Sequence, residues 1–274
     1  MKKEKFNMIY LLSLIIVILM AVASLSGIFI KDFYQDNALV SSSWYGNDII
    51  TMVLAVPVFM NGLIFYKKKT VIGILILFAM LFYSLYNYAF YLFSAAFNNL
   101  FLIYVAIFSL SIFALILLIR KIDIKKSAAQ FKPETPVKVI GWYMIIVGIL
   151  LGVFHTGLSL SYVFSGTVPE IITNVAHPTN VIAALDLSMV VPVALIAGIN
   201  ILKKRPWGYV LAVVWNLKGF VYMAALSSAS LVTYINGAVQ DLFQLLLWVP
   251  IGIGCFIMTF LLFKNISFHD KKSI

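Results

Sequence analysis

Two ionisable residues lie inside stretches of the chain that are otherwise apolar, and they are the first candidates for chemistry. Lys218 lies in the middle of WGYVLAVVWNLKGFVYMAALSS, and Asp186 lies in the preceding apolar stretch, VIAALDLSMVVPVALIAGINIL. A charged side chain inside a bilayer is energetically costly, faces the interior of a helix bundle and usually has a partner. We therefore predict that Asp186 and Lys218 form a buried charge pair.

The depth of the two residues is compatible with such a pair. At about 1.5 Å per residue, Lys218 lies about 18 Å from the predicted cytoplasmic end of its helix. Asp186 lies about 9 Å from the predicted outer end of its own helix. Two interpretations are open at this point. The pair either joins two helices structurally, or it lines a cavity and responds to a ligand or proton.

Four further residues complete the predicted substrate-binding site. His155, in GVFHTGLSL, is the histidine of the apolar stretches and lies at the level of Asp186, either as a packing residue or as part of a proton relay. Tyr83 and Asn87 share one helix face at a spacing of i, i+4, either as interhelical hydrogen-bonding residues or as pocket residues. Tyr222 lies four residues after the central lysine and shares its face.

Motifs for other kinds of chemistry are missing from the sequence. It has no GxSxG, no P-loop and no GxGxxG at a helix start. The single cysteine, Cys255, excludes an intramolecular disulfide and a cysteine metal cluster. We predict no catalytic residue, no metal site and no cofactor, and we leave open whether the protein is an enzyme.

The composition defines the elements that must position these residues. The chain is 63% hydrophobic and 11% charged, with a mean hydropathy of +1.03, whereas soluble domains are about one quarter charged. Uninterrupted apolar stretches without alternation are typical of membrane-spanning helices and not of barrel strands. We predict an all-α polytopic helix bundle with eight transmembrane helices, at about residues 7–30, 49–66, 70–92, 100–119, 138–164, 181–202, 207–228 and 243–263.

The first of these stretches resembles a secretory signal because it follows a basic segment and ends in small residues. Its uncharged part runs from Phe6 to Ile30. That length is long for the apolar core of a signal peptide and suits a spanning helix. We expect this helix to be retained.

The positions of the basic residues predict the orientation. With both termini inside, 18 of the 20 Lys and Arg residues lie in cytoplasmic segments, and the exceptions are Lys31 and Lys218. The net charge of +10 is explained by orientation, so we predict no nucleic-acid partner. The acidic residues Asp32, Asp36, Asp48, Glu170 and Asp241 are expected in or beside outer loops, of which the longer ones are near 31–48 and 165–180. Trp44, Tyr45 and Tyr162 are expected at the membrane interface.

The chain also shows signs of an internal repeat. VPVFMNGLIFYKKKTVIG in the first part and VPVALIAGINILKKRPWG in the second align, so that Pro57 matches Pro192 and Gly73 matches Gly208. We predict a first four-helix half at 1–120, a cytoplasmic linker at 121–137 and a second four-helix half at 138–274, related as parallel repeats.

YNYAFYLFSAAFNNLFLIYVAIFSLSIFAL and PTNVIAALDLSMVVPVALIAGINILKKRPWGYVLA resemble a family of uncharacterised bacterial multi-span membrane proteins. The resemblance covers about half of the chain. It implies a protein of the bacterial cytoplasmic membrane and transfers no activity and no site residue.

Three functional hypotheses follow from this reading. The first is a small-solute or ion carrier, or an accessory permease, whose ligand breaks the charge pair. The second is a non-catalytic membrane partner, sensor or complex subunit, in which the pair is structural. The third is an intramembrane enzyme acting on a lipid, with His155 and Asp186 as acid and base. The expected partners are the lipid bilayer and a small molecule or ion, and the sequence leaves the oligomeric state open.

Overall fold

The structure is a computed structural model that describes residues 2–177 and 179–267, with side chains from Met8 onward. The predicted cytoplasmic residues Lys271 and Lys272 lie outside the described residues. Throughout the described part, the apolar stretches form helices. In lipid a helix satisfies all of its backbone hydrogen bonds internally, and this explains why apolar sequence of this length folds in this way.

Twelve α-helices and two π-helical segments make up the described residues. The α-helices are α1 (Lys2–Phe29), α2 (Ala38–Ile50), α3 (Val56–Lys67), α4 (Val71–Ser94), α5 (Phe101–Lys121), α6 (Ile124–Ala128), α7 (Val137–Ser165), α8 (Glu170–Thr173), α9 (Val181–Leu185), α10 (Val191–Leu202), α11 (Pro206–Ile235) and α12 (Leu245–Lys264). The π-helical segments, Thr51–Ala55 and Asp186–Val190, join α2 to α3 and α9 to α10.

Eight continuous helical stretches are long and apolar enough to cross a membrane, which confirms the predicted all-α polytopic fold. They are Met8–Phe29, Ala38–Lys67, Val71–Ser94, Phe101–Lys121, Val137–Ser165, Val181–Leu202, Pro206–Ile235 and Leu245–Lys264. No β-strand occurs in the described residues, where Phe131 and Ile266 form an isolated antiparallel bridge.

The second span begins earlier than the sequence predicts. Asn37 caps α2 by accepting a hydrogen bond from the backbone N–H of Val40 at 3.0 Å, so the helix starts at Ala38 and not near residue 49. The segment SSSWYGND is therefore helical, and the expectation of an outer loop extending to residue 48 is wrong. Trp44, expected at the membrane interface, is 1% exposed, because it packs inside the bundle.

Two helices form the centre of the bundle. In α4, 83% of the most apolar stretch is buried inside the protein, and in α11 the share is 61%. The corresponding share is 28% for α7 and for α12, which therefore lie at the periphery of the bundle. Helix α11 packs against α2, α4, α10 and α12, while α7 packs chiefly against α10. A polar residue on α4 or α11 is thus placed in the middle of the protein.

Loops from both parts of the chain meet at one end of the bundle, which we call the Asp36 end. Asp36 Oδ1 accepts a hydrogen bond from the backbone N–H of Ala96 at 3.0 Å, and Asn37 Nδ2 donates to the Asn174 carbonyl at 2.9 Å. Residues 30–37, 95–100 and 166–177 therefore lie together. The sequence predicts that this end faces the outside, and the orientation stays a prediction.

At the opposite end, the segment predicted as a linker packs against the end of α12. It contains the short helix α6, and the backbone N–H of Lys132 donates to the Asn265 carbonyl at 2.8 Å. The segment thus packs against α11 and the end of α12 rather than forming a free linker.

The two aligned sequence stretches also share local structure. Each π-helical segment is followed directly by VPV. Each following helix ends in a tight turn with a lysine in the left-handed conformation, Lys69 (φ 60°) and Lys204 (φ 51°). Gly73 and Gly208 then let the next helix approach the backbone of the preceding one so closely that a Cβ would collide with it. These features support a repeat of this stretch, and the division into two halves stays a prediction.

Candidate functional site

Asp186 is the first residue of the second π-helical segment. It is 6% exposed, and the segment is held between α9, which Asn180 caps, and α10, which starts at Val191. π-Helical turns inside α-helices are rare and occur often at functional sites. The wider turn places the Asp186 carboxylate between neighbouring helices.

Two side chains from other helices hold this carboxylate. His155, on α7, places Nε2 2.9 Å from Asp186 Oδ2, and Tyr86, on α4, donates its hydroxyl to Asp186 Oδ1 at 2.7 Å. His155 is 5% exposed and Tyr86 is fully buried. The sequence predicted a common depth for His155 and Asp186, and the structure brings their side chains into contact. Three separate elements thus meet at one carboxylate.

Lys218 and Asp186 form no salt bridge within 4.0 Å, so the predicted pair is not a direct contact. Among the described residues, the one salt bridge within 4.0 Å is the contact between His155 and Asp186. The ammonium of Lys218 lies 3.6 Å from the centre of the Tyr86 ring instead. Tyr86 therefore stands between the two charges, with its hydroxyl on the carboxylate and its ring face on the ammonium.

A second aromatic ring completes the surroundings of the ammonium. The Nζ atom of Lys218 is 4.5 Å from the centre of the Tyr222 ring, and Tyr222 meets Tyr86 edge to face at 4.8 Å. Cation–π contacts between desolvated groups are worth about 2 kcal/mol. The predicted shared face of Tyr222 and Lys218 thus corresponds to a contact, and aromatic faces replace the carboxylate that the sequence suggested.

Tyr83 and Asn87 do not join this cluster. Both face the second span. There the Tyr83 hydroxyl is 3.0 Å from Thr51 Oγ1 of the first π-helical segment, and Asn87 Oδ1 accepts from Asn47 Nδ2 of α2 at 3.0 Å. Their predicted common face is correct, and its role in the structure is interhelical hydrogen bonding. Asn47 Oδ1 and Asn87 Nδ2 have no hydrogen-bond partner.

Tyr86 is the residue that sequence reasoning missed. It lies in the same polar group of residues on α4 as Tyr83 and Asn87, but on another face of the helix. A tyrosine in the middle of a spanning helix needs a partner for its hydroxyl, and this is the signal that could have identified it. The sequence could not show that its ring would face Lys218.

Asp48 is a second buried carboxylate. The sequence analysis expected it in or beside an outer loop, and the structure places it inside α2. It lies on α2, is 2% exposed and accepts hydrogen bonds from the hydroxyls of Tyr34 and Tyr91, the latter at 2.9 Å. Burial and the neighbouring Asp48 carboxyl hold the pKa of Tyr34, in the loop before α2, well above its ordinary value. The Tyr34 hydroxyl therefore stays protonated and acts as a donor.

Two small cavities lie near these residues. One of about 40 Å³ is lined by Asn47, Phe90 and Tyr222 among others, and one of about 10 Å³ is lined by Tyr91 and Tyr104 among others. Neither is lined by Asp186 or His155. A cavity of this size accommodates about one water molecule or one ion.

The described residues contain no group of three or more His, Cys, Asp or Glu side chains that could hold a metal ion. No protein-family model, curated protein sequence or solved structure matches the chain. The resemblance to an uncharacterised bacterial family therefore stays a prediction, and the functional interpretation rests on the geometry of these buried groups in a multi-pass membrane protein.

Proposed function

We propose that this protein is a membrane carrier of a small solute or ion, in which transport is linked to the charge state of the cluster formed by Asp186, His155, Tyr86 and Lys218. The observation that carries the proposal is the convergence on one buried carboxylate of side chains from separate helices. Ionisable residues are rare inside membrane-spanning helices, and where they occur they commonly belong to ion pathways or proton relays. We call these four residues the Asp186 cluster.

The first step is proton handling at His155. Its Nε2 faces the Asp186 carboxylate, and its Nδ1 is buried without a hydrogen-bond partner. An imidazole can accept a proton at one nitrogen and release a proton from the other. This arrangement supports transfer of a proton from Nδ1, through the ring, to Asp186.

The second step couples the protonation of Asp186 to Lys218. When Asp186 is ionised, it attracts the Tyr86 hydroxyl and balances the positive charge behind the Tyr86 ring. When Asp186 gains a proton, this attraction weakens, because a hydrogen bond to a charged acceptor is roughly twice as strong as one to a neutral acceptor. Lys218 is then left with aromatic faces and gains affinity for an anionic group of a ligand.

The third step is movement of the helices. Asp186 starts a π-helical segment, and Pro192 follows close behind it in α10. π-Helical turns and prolines are two recognised causes of helix bending, because both interrupt the regular backbone hydrogen bonds. The carboxylate is therefore attached to the part of its helix that bends most easily.

One observation favours the structural alternative, a non-catalytic membrane partner or subunit. The cluster is closely packed, and the cavity of about 40 Å³ beside Tyr222 is too small for an organic solute. In that case the cluster joins α4, α7 and α11 and has no ligand. The carrier proposal requires a second conformation in which the site opens.

Reconstitution into liposomes tests the proposal directly. Solute panels are added to proteoliposomes that contain a pH-sensitive dye, and the change of internal pH is recorded. A solute that changes the internal pH with the wild type, and not with Asp186→Asn or Lys218→Met, supports the carrier.

The matched controls are Asp241→Asn and Lys264→Met, which remove the same charges outside the cluster. Asp241 is exposed and bonds within its own loop through the N–H of Phe243. If folded Asp186→Asn and Lys218→Met proteins transport as well as these controls, the cluster has a structural role and the carrier proposal fails.

A further inference from the structure

The surroundings of Asp48 differ from those of the Asp186 cluster in one decisive respect. Within the described residues, no Lys, Arg or His side chain lies within 4.0 Å of the Asp48 carboxylate. Its hydrogen-bond partners are the neutral hydroxyls of Tyr34 and Tyr91. Burying an ionised carboxylate without a positive charge is very costly in a medium of low dielectric constant. Asp48 therefore needs one positive charge that the neighbouring side chains do not supply.

Unused oxygen atoms lie around the same carboxylate. Gly27 of α1 is so close to Asp48 Oδ2 that a Cβ at this position would collide with it. Ser24 lies three residues before Gly27 and shares this face of α1. The Ser24 hydroxyl is fully buried and has no hydrogen-bond partner.

Tyr104, on α5, contributes a further oxygen. Its ring centre is 5.2 Å from that of Tyr91, and its hydroxyl is buried and unpartnered. Tyr91 and Tyr104 both line the cavity of about 10 Å³. The rest of that lining, at residues 92, 95–98 and 101, lies toward the Asp36 end of the bundle. A small space at this end of the bundle thus borders Tyr91, which donates a hydrogen bond to Asp48.

We propose that Asp48, with the hydroxyls of Ser24 and Tyr104, forms a binding site for one monovalent cation, a sodium ion or a proton. Both sources supply the single positive charge that the carboxylate needs. Carboxylate and hydroxyl oxygens are hard donors that suit an alkali cation, and a carboxylate is equally a proton acceptor. The site is separate from the Asp186 cluster, and it does not rest on the proposed carrier function, because its test measures ion binding alone.

The sodium arm of the test is thermal unfolding of the purified full-length protein. Choline chloride is replaced stepwise by NaCl at constant ionic strength and pH. Because an ion that binds the folded state raises its stability by mass action, the melting temperature should rise with sodium concentration. The rise should be lost in Asp48→Asn and retained in Asp186→Asn.

The proton arm uses infrared spectroscopy in choline chloride. If the cation is a proton, sodium gives no shift of the melting temperature. A carboxylic C=O stretching band that is missing in Asp48→Asn should then disappear as the pH rises. Either arm supports the site, and the two arms identify which cation occupies it.

A pair of serine variants keeps the test decisive if Asp48→Asn does not fold. Ser24→Ala should weaken the response to sodium or shift the pH at which the Asp48 proton is lost. Ser13→Ala is the matched control, because Ser13 is also fully buried and unpartnered on α1. It lies 11 residues away, about 16 Å along the helix, and should have no effect.

Three results would overturn the proposal. The first is a sodium response that persists in Asp48→Asn. The second is the absence of any sodium response together with a carboxylic band of Asp48 that stays constant at every pH at which the protein is folded. The third is an equal effect of Ser24→Ala and Ser13→Ala on the measured response.

Discussion

Asp48 and Asp186 are both buried toward the Asp36 end of the same helix bundle, yet they are neutralised in different ways. Asp186 has the imidazole of His155 at 2.9 Å, and the ammonium of Lys218 stands one tyrosine ring away. Asp48 has tyrosine hydroxyls and, among the described residues, no cationic side chain within salt-bridge distance. The protein therefore supplies basic side chains at Asp186, and we propose that a cation from solution supplies the positive charge at Asp48.

This difference shows what a buried carboxylate does to stability. Where basic side chains of the protein surround the carboxylate, its removal leaves buried basic groups without a partner. Where the charge comes from outside, removal of the carboxylate leaves neutral hydroxyls, and the external cation is simply not bound. The two sites should therefore respond differently to the same substitution.

The largest effect is expected for Asp186→Leu. It leaves His155 and the Tyr86 hydroxyl unpaired and removes the negative charge nearest to Lys218. Breaking a buried ionic contact by removing one partner costs about 3–5 kcal/mol. The loss should appear as early thermal unfolding of the purified variant in detergent.

Asp186→Asn is the control for Asp186→Leu, because an amide still accepts the hydrogen bond from Tyr86, and it should lose less stability. A loss below about 1 kcal/mol in Asp186→Leu, as is typical of exposed ion pairs, would show that the Asp186 cluster contributes no internal neutralisation.

A smaller effect is expected for Asp48→Leu measured in choline chloride. The substitution leaves the Tyr34 hydroxyl without its Asp48 acceptor and the Tyr91 hydroxyl with only the Trp44 carbonyl at 3.4 Å, which costs about 2–3 kcal/mol. No internal cation loses its partner. In NaCl the difference from the wild type should widen if sodium is the bound cation, because only the wild type gains stability. Equal losses for Asp48→Leu and Asp186→Leu in choline chloride would remove the distinction between the two sites.

The sequence predicts the helices of this protein much better than it predicts these contacts. Membrane spans are encoded by continuous apolar length, and all eight were found for this reason. The start of the second span was missed because SSSWYGND reads as a loop, whereas inside a bundle its polar residues bond to other helices. Asn47 with Asn87 and Asp48 with Tyr91 are two such contacts.

The candidate site was predicted in part, for a physical reason. The cost of a charge in the membrane identifies Asp186 and Lys218 as buried residues that need partners, and the shared depth identifies His155. The rotation of each helix about its axis is set by packing and is not encoded in spacing along one helix. For this reason the sequence could not place the Tyr86 ring between Asp186 and Lys218, nor direct Tyr83 and Asn87 toward α2.

The third prediction concerns the aromatic faces that separate the two charges of the Asp186 cluster. Tyr222→Leu removes one of the rings around the Lys218 ammonium and should lower the stability by about 1–2 kcal/mol. Tyr222→Phe keeps the ring face and should stay close to the wild type. Thermal unfolding of the two variants, side by side, checks this. If Phe and Leu at this position are equally destabilising, the contribution lies in the hydroxyl and not in the cation–π contact.

The smallest effect concerns His177, which must be separated from any pH dependence of Asp48. His177 lies in the loop before α9, with its ring 6.4 Å from that of Phe90. Burial lowers the pKa of His177, and the Asp36 carboxylate offsets part of this shift. The folded state therefore binds a proton less readily than the unfolded state. The contribution of His177 to stability is present above its unfolded pKa, about 6.5, and is lost as the pH falls through the folded value.

His177→Gln should therefore flatten the decrease of melting temperature on the acid side of neutrality and leave the melting temperature at higher pH unchanged. The measurement is the melting temperature against pH for the wild type and His177→Gln in choline chloride. An unchanged profile would show that the neutral form of His177 does not matter to the fold. The pH dependence that persists in His177→Gln then belongs to the membrane carboxylates. If this remaining pH dependence disappears in Asp48→Asn and persists in Asp186→Asn, the cation that exchanges with solution is bound at Asp48. This is the result expected for a buried carboxylate without a cationic side chain beside it.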